Sequence, residues 1–513
     1  MKALKGLLIY IGIILGSILG LAAILVSIMY FVPTFKIAGV GMVHYQKSIN
    51  NSTISLKQYS DYDEVVLSVS SKTIPITILP TDAEEISYKM NLSVFGFASD
   101  IVEYKLGKNV EQRDNKLYIY LNTIEPSGWI SISGSGVSVS VPSDMKISLV
   151  TSTTSGSVSI GGSKNSLNID MLSVSTSTGN LNLVNLGSGE TEKTLELKSL
   201  NLTTQNGTFD LSGITNIKVL EKVKLVAEDG VFGFNNLFAS VNVTGKGVTL
   251  NANDISCGDD GFKCITNNVY LNIESLKTSD GCENSIISEN MVLKIKTIVG
   301  KTGISTIYGK VDINSINGYA MIENENGSVS IKNAYDTIII TTEMGDISVD
   351  SYMKTGKFKS NKGNITVNSW SDYISGCYTD IECVDGNVTA FNKINKFSLK
   401  TTGYSRSKVD FGIVKEGKDE NGLTIQHRIE ASMQGSCIVK IPTFNETAFM
   451  FEAHGNISGE ISGLKGDENG GKVYAKEGPQ YYPSNKYIEE SMSNASFYFD
   501  GKIEIGGHSS KYE

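Results

Sequence analysis

The stretch Thr151–Gly162, "TSTTSGSVSIGG", decides the fold of this chain. Small polar residues precede Gly156, and apolar and polar residues then alternate in Ser-Val-Ser-Ile. A turn glycine followed by strict alternation is typical of a short strand with one buried face. The same unit recurs along the chain at Gly179 (GNLNL), Gly207 (GTFDL), Gly327 (GSVSI), Gly345 (GDISV), Gly363 (GNITV) and Gly386 (GNVTA).

The spacing of these units is as informative as their amino-acid sequence. Stepping by nine residues from Gly309 reaches Gly318, Gly327, Gly345 and Gly363. A short strand and a turn fill nine residues, so two units make a rung of about 18 residues, as in stacked repeat proteins. We therefore predict an all-β chain folded as a β-solenoid. The alternative, a series of β-sandwiches, would favour loops of uneven length and no fixed period.

The N-terminus predicts a membrane anchor. No charged residue occurs from Leu7 to Phe31, a run of 25 positions. At about 1.5 Å per residue this helix is roughly 37 Å long, enough to cross a bilayer core of about 30 Å. The alternative is a cleaved signal peptide, but the run is long for one and no small-x-small cleavage site follows it before Pro33.

The charges around this segment predict its orientation. Lys2 and Lys5 precede it, whereas Lys36 alone follows closely, so we expect a cytoplasmic N-terminus and an extracellular remainder of the chain. Small residues on one helix face, Gly12, Gly16 and Gly20, would allow two such helices to pack closely as a homodimer. The alternative is that glycine is simply common in membrane helices.

Four regions are expected along the chain. Residues 1–36 form the cytoplasmic stub and transmembrane anchor, and 37–130, with longer strands, form an N-terminal β-cap. Residues 131–400 form the solenoid, interrupted near 251–300 by a cysteine-bearing insertion. Residues 401–513 form a β-rich end with a long loop and a cap, because open solenoid ends expose strand edges.

Three stretches resemble the bacterial putative adhesin family, whose extracytoplasmic domains of unknown function have a β-solenoid head. They are "PITILPTDAEEISYKM" (Pro75–Met90), "VSVSVPSDMKISLVTSTTSGSVSIGG" (Val137–Gly162) and the serial glycine units. The resemblance covers nearly the whole region after the anchor, although this chain departs in length and in its cysteine-bearing segment. It implies adhesion or a role in the cell envelope, and it supplies no catalytic residues.

Six cysteines in a region expected to lie outside the cell are candidates for disulfides: Cys257, Cys264, Cys282, Cys377, Cys383 and Cys437. Fifteen connectivities are possible. The segments "CGDDGFKC" and "CYTDIEC" suggest short closed loops, 257–264 and 377–383.

Acidic residues between the first cysteines raise two chemical hypotheses. Asp259 and Asp260, with Asp280 on a neighbouring rung, are candidates for the general acid and base of a polysaccharide-degrading β-helix enzyme. Adjacent strand residues point to opposite faces, however, so this pair works only if the backbone turns there. Together with Asp254, the same residues are candidate calcium ligands, although no D-x-D-x-D-G loop is present. The bland interpretation is a solvated acidic turn.

Binding surfaces are the better supported hypothesis. Tyr481, Tyr482 and Tyr487 lie in a presumed C-terminal loop, where aromatic rings stack on sugars or pack against a partner. After residue 36 the chain carries 42 basic and 54 acidic residues, which argues against nucleic acid as the partner. We expect a non-enzymatic, cofactor-free, adhesin-like surface protein that binds glycan or protein ligands. The alternatives are an envelope sensor or scaffold with lateral partners, and the enzyme above.

Overall fold

The computed structural model describes residues 2–411 except 33–34, 39, 57–63, 99–103, 126–127, 163–165, 188–192, 370–376, 394–395 and 402–404. Beyond 411 it describes the backbone of strands between 427 and 508. Strands account for 73% of the chain, and they stack as a β-solenoid, so the all-β prediction is confirmed. The chain divides into two compact units, Met1–Asn235 and Asn236–Glu513.

The first unit begins with helix α1, Lys2–Phe31. Within α1, Ile11–Phe31 has a mean hydropathy of 2.6 and is long and apolar enough to cross a membrane. The strands that follow are β1 (Lys36–Ile37), β2 (Val40–Ser55), β3 (Glu64–Ser70), β4 (Ile76–Thr81), β5 (Glu85–Ala98), β6 (Lys105–Arg113), β7 (Lys116–Ile124), β8 (Gly128–Pro142), β9 (Lys146–Thr153), β10 (Val158–Gly161), β11 (Asn168–Thr176), β12 (Leu181–Val184), β13 (Thr194–Leu197), β14 (Ser199–Thr204), β15 (Thr208–Asp210), β16 (Asn216–Val219) and β17 (Val223–Phe238).

Two long parallel ladders run through this unit beside a short one of β13 and β16, and the order of strands in the long ladders differs from the order of the chain. One ladder runs β7–β3–β9–β11–β14–β17 and the other β8–β4–β10–β12–β15–β17. Apolar side chains form continuous inward columns, for example Leu67, Leu149, Leu172, Leu200 and Val223, all with no exposed surface. This burial of alternate residues is the main source of stability in such a stack.

Antiparallel strands end both ladders. β6 pairs with β7, and β2 pairs with β5, which pairs with β8. They occupy what would be free ladder edges, as expected for a cap over part of 37–130. The expected boundary at 130 is wrong, however, because β3, β4 and β7 are already rungs of the parallel ladders. Local periodicity could not reveal this, since these rungs stack out of chain order.

Glu125 fastens the first rungs to each other. Its carboxylate accepts hydrogen bonds from the Lys72 and Thr73 backbone N–H groups at 2.7 and 2.9 Å. The hydroxyls of Ser71 and Thr123 also donate to it, at 2.9 and 2.7 Å. Burial alone would raise the pKa of Glu125, but these hydrogen bonds outweigh it and hold the pKa below its usual value.

The second unit contains four strands of 17 residues, each spanning most of a rung: β18 (Val241–Cys257), β19 (Phe262–Thr278), β20 (Glu283–Val299) and β21 (Lys301–Asn317). Shorter strands then alternate between two sides of each rung: β22 (Ala320–Asn326), β23 (Val329–Ala334), β24 (Ile338–Met344), β25 (Ile347–Tyr352), β26 (Gly356–Lys362), β27 (Ile365–Ser369), β28 (Thr379–Asp385), β29 (Val388–Asn392), β30 (Lys396–Thr401) and β31 (Ser405–Phe411).

The stacking in this unit confirms the predicted rung length. Ala320 lies beside Ile338, and Ile338 lies beside Gly356, so partners are 18 residues apart. The segment 251–300 is not an insertion, because β18, β19 and β20 stack in register as ordinary rungs. Their corners, Gly258–Gly261 and Ser279–Cys282, are longer than the Gly300 corner. The nine-residue count therefore loses phase there although the fold continues.

Strands also occur in the C-terminal part of the chain. Its strands are β32 (His427–Pro442), β33 (Met450–His454), β34 (Ser458–Glu460), β35 (Lys472–Tyr474), β36 (Gln480–Tyr482) and β37 (Ser493–His508). β32 continues the parallel ladders of β30 and β31, and β37 pairs with β32 in parallel.

Corner glycines pack against the rung before them. A Cβ on Gly345 would lie 1.8 Å from the carbonyl oxygen of Gly327, and one on Gly363 would lie 2.2 Å from that of Gly345. Neither residue has a left-handed φ, so the close approach of two backbones requires glycine here. Gly327 (φ 137°) and some other corner glycines, by contrast, adopt a positive φ.

Candidate functional site

The predicted acidic residues lie at two stacked corners. Asp259 and Asp260 are exposed in the turn between β18 and β19, so the backbone does turn where the catalytic hypothesis needs it. Asp280 is exposed in the next corner, and Asp254 lies within β18, where its Oδ2 is 3.2 Å from Lys277 Nζ. Among the residues that the structure describes, no three His, Cys, Asp or Glu side chains form a group that could hold a metal. The calcium hypothesis thus gains no support from these aspartates.

The cysteines whose side chains are described are free thiols: Cys257, Cys264, Cys282, Cys377 and Cys383. The expected closed loops 257–264 and 377–383 are therefore absent from the structure. Cys264 belongs to the inward column of Val243 and Ile286, whereas Cys257 ends the preceding rung beside Thr278. Burial raises the pKa of both thiols to about 12. The side chain of Cys437 is outside the described part.

Cys282 lies near Cys257 at this corner. The thiol of Cys282 donates to the carbonyl oxygen of Asp259 at 2.9 Å. After burial, which is the larger cause, the charge of a Cys282 thiolate further raises the pKa of Cys257. Cys282 therefore lies against the corner that directly follows Cys257.

The tyrosines proposed for recognition fall mostly outside the described side chains. Tyr481 and Tyr482 lie on the short strand β36, rather than in a loop, and β36 pairs with β33 in antiparallel fashion. Tyr487 is outside the described residues. Gly12, Gly16 and Gly20 of α1 each have open space where a Cβ would be, with no described atom within 4 Å.

The structure reveals a groove that the sequence did not predict, on the outward face of β20, β21 and the start of β22. Its volume is about 490 Å³. Its walls are three rows of side chains from adjacent strands: Glu283, Lys301 and Tyr319; Ser285, Gly303 and Met321; Ile287, Ser305 and Glu323. The rows run across the strands, so the groove spans three rungs.

The floor of the groove exists because of Gly303. It lies between Ser285 and Met321 in the middle row and contributes no side chain. A Cβ there would meet only the end of the Glu283 side chain, with Oε1 at 3.1 Å. Unlike the corner glycines, Gly303 is therefore not required by packing. Glycine inside a strand often marks a place where a ligand approaches the backbone.

The walls of the groove combine exposed apolar surface with charge. Ile287 is 45% exposed and Met321 40% exposed, and Ile265, beside Ile287 on the preceding rung, is 55% exposed. Outward positions of a solenoid are normally polar, so an apolar group at this place suggests recognition. Lys301 Nζ is 3.3 Å from Glu283 Oε2. Among the described residues Glu323 has no ion-pair partner, so the groove has a net charge of −1.

No family model, curated protein or solved structure matches the chain.

The groove could have been suspected from the sequence at one point only. Repeat glycines such as Gly327 and Gly345 fall at corners, whereas in Lys301–Ser305, "KTGIS", the glycine falls on an outward position within β21. Which outward residues lie beside it depends on the stacking register, which the sequence does not display.

Proposed function

We propose that this chain is a membrane-anchored, surface-exposed, adhesin-like protein that binds a ligand on the outward face of its second unit and does not transform it. The observation that carries the proposal is the groove around Gly303. It places exposed apolar side chains, a carboxylate (Glu323) with no ion-pair partner among the described residues, and an open backbone floor on one face of a stack of strands. Preformed concave surfaces of this mixed character are typical of ligand sites.

Anchoring is supported by α1. Ile11–Phe31 matches the length and hydropathy of a membrane span, and the apolar 18-residue window within it is not buried against the rest of the chain. Lys2 and Lys5 favour a cytoplasmic N-terminus, which would put both β-solenoid units outside the cell. The resemblance of the repeat to the bacterial putative adhesin family agrees with this placement and with an adhesive role.

The test uses the full chain with a C-terminal epitope tag in bacterial cells. We expect antibody to label intact cells, and labelled cells to adhere to glycoprotein-coated surfaces better than cells without the chain. A matched variant, Lys2→Glu with Lys5→Glu, should reduce labelling of intact cells, because the charge bias sets orientation. Labelling only after permeabilisation, or adhesion equal to that of control cells, would refute the proposal.

One observation favours a second candidate, an envelope sensor or scaffold with lateral partners. The glycine face of α1 is uncovered along Gly12, Gly16 and Gly20 among the described residues. If it pairs helices, Gly16→Ile should weaken self-association of the full chain in membranes, measured by energy transfer between labelled copies. Unchanged association in Gly16→Ile would leave this candidate without support.

A further inference from the structure

We propose that the groove around Gly303 binds a glycan chain that lacks acidic groups and lies across the strands. This inference rests on the proposed binding function and names its ligand class.

The groove offers side chains and the Gly303 floor, but no free sheet edge. Its central strand β21 is paired on both sides, with β20 and β22, and bonds such as Thr302 N–H to the Tyr319 carbonyl oxygen (2.9 Å) are part of this ladder. A peptide that binds by adding a strand needs a free sheet edge. The face of a fully paired sheet suits a ligand that is recognised through hydroxyl groups and ring surfaces.

Two of the polar groups, Glu283 and Glu323, are carboxylates that accept hydrogen bonds and donate none. Glu323 and Ser305 lie in one row, and Glu283 lies at the opposite wall, held by Lys301 at 3.3 Å. An ionised carboxylate accepts hydrogen bonds and donates none, and a bond to a charged acceptor is stronger than one between neutral groups. Sugar hydroxyls supply donors in adjacent pairs, so a glycan matches this set of acceptors.

The apolar side chains of the groove also suit a glycan. Met321 and Ile287 expose 40% and 45% of their surface, and Tyr319 borders the same groove. The C–H face of a sugar ring packs on such side chains, while its hydroxyls point sideways to polar partners. Strands lie about 4.8 Å apart, so three rungs give room for a short oligosaccharide rather than a single sugar.

The charge of the groove selects among glycans. Since Lys301 is balanced by Glu283 and Glu323 is left over, uronic, sialic or sulfated sugars would bring like charges together. Neutral chains meet no such penalty. The ligand class is therefore a chain of uncharged sugars.

The test measures binding of the full chain, in detergent, to immobilised cellohexaose, mannohexaose and chitohexaose, with hexagalacturonate as the acidic probe. Gly303→Val fills the floor of the groove, and it should weaken binding of the preferred neutral probe by about tenfold or more. The matched control is Ser330→Val, which places the same side chain on an exposed outward position of β23. Valine suits strands, so both variants should fold. Glu323→Gln should weaken binding by a smaller factor.

Each outcome supports or contradicts either the glycan inference or the proposed binding function. Neutral probes bound by the wild type and by Ser330→Val, but not by Gly303→Val, would support the inference. Equal binding by both valine variants, or preference for hexagalacturonate, would overturn it while leaving a binding function intact. If no probe binds but cells still adhere after periodate oxidation of the coated surface, the ligand is a protein and only this inference fails. If neither binding nor adhesion is seen, the proposed function fails as well.

Discussion

Replacing Gly345 by alanine tests the physical basis of the stack. Gly345 belongs to a column of corner glycines that begins at Gly309 and continues with Gly327, Gly363 and Gly386, and from Gly327 onward each lies against the carbonyl of the one before it. The new Cβ would lie 1.8 Å from the Gly327 carbonyl oxygen, whereas real Cβ atoms stay beyond 3.0 Å from such atoms. The corner must therefore move by more than 1 Å.

The cost follows from what this movement breaks. The Gly327 N–H bond to the Met344 carbonyl oxygen, now 3.1 Å, would pass beyond hydrogen-bonding distance. One lost bond costs about 1 kcal/mol, and forcing an extra carbon into a packed site costs about 1–3 kcal/mol. We expect Gly345→Ala to lower the free energy of unfolding of its unit by about 2–4 kcal/mol.

Gly303→Ala is the matched control in the same unit. Its Cβ meets only a flexible carboxylate end at 3.1 Å, so alanine should stabilise the strand by about 0.5–1 kcal/mol. The assay is urea unfolding of the full chain in detergent by circular dichroism, with hydrogen exchange to locate the change. Exchange should accelerate near 327–363 in Gly345→Ala alone. Equal effects of the two substitutions would refute the steric explanation.

Three other predictions concern Glu125, the first corner cysteines and the acidic turn. Because the pKa of Glu125 is lowered on folding, its contribution to stability is present above its usual pKa of 4.5 and is lost as the pH falls through the lowered pKa. Glu125→Gln should therefore lower the free energy of unfolding of the first unit by roughly 2 kcal/mol at pH 7, and the loss of stability on acidification should become smaller. An unchanged loss of stability on acidification would contradict this explanation. Oxidation of the folded chain by oxidised glutathione should join Cys257 to Cys282, seen by peptide mapping, whereas a Cys257–Cys264 crosslink would count against the stacked corners. Alanine at both Asp259 and Asp260 should leave glycan binding unchanged within about twofold, since both are exposed outside the groove, and loss of a glycan-cleaving activity would instead restore the enzyme hypothesis.

Much of the fold was predictable because its cause is local. Alternation after each glycine fixes which residues face inward, and the nine-residue step fixes the rung at 18 residues, as the pairing of Ala320 with Ile338 confirms. The order of the first rungs was not predictable, since β7 stacks before β3 through contacts between residues distant in sequence. The supposed insertion failed for a simpler reason: corners of different length shift the count without changing the stack.

The candidate site was harder to predict than the fold. The sequence drew attention to Asp259 and Asp260 because paired carboxylates have a known chemistry, yet the structure places them in an exposed turn. The groove depends on residues from three rungs, and Ile287, Ser305 and Glu323 are unremarkable until the stacking register brings them into one row. Only Gly303, a glycine away from the corners, distinguished this place in the sequence.

The corners explain why the chain repeats the kind of stretch found at Thr151–Gly162. At several corners an inward polar residue three positions before the glycine bonds to its backbone: Thr153 Oγ1 donates to the Gly156 carbonyl oxygen at 2.5 Å, and Thr342 Oγ1 to that of Gly345 at 2.9 Å. Buried backbone groups left unpaired would be costly, so the polar residue and the glycine are needed together. Outward positions need neither the polar residue nor the glycine. The residues that build the stack and the residues that line the groove therefore occupy different columns, and the groove can vary in side chains without a change in the fold.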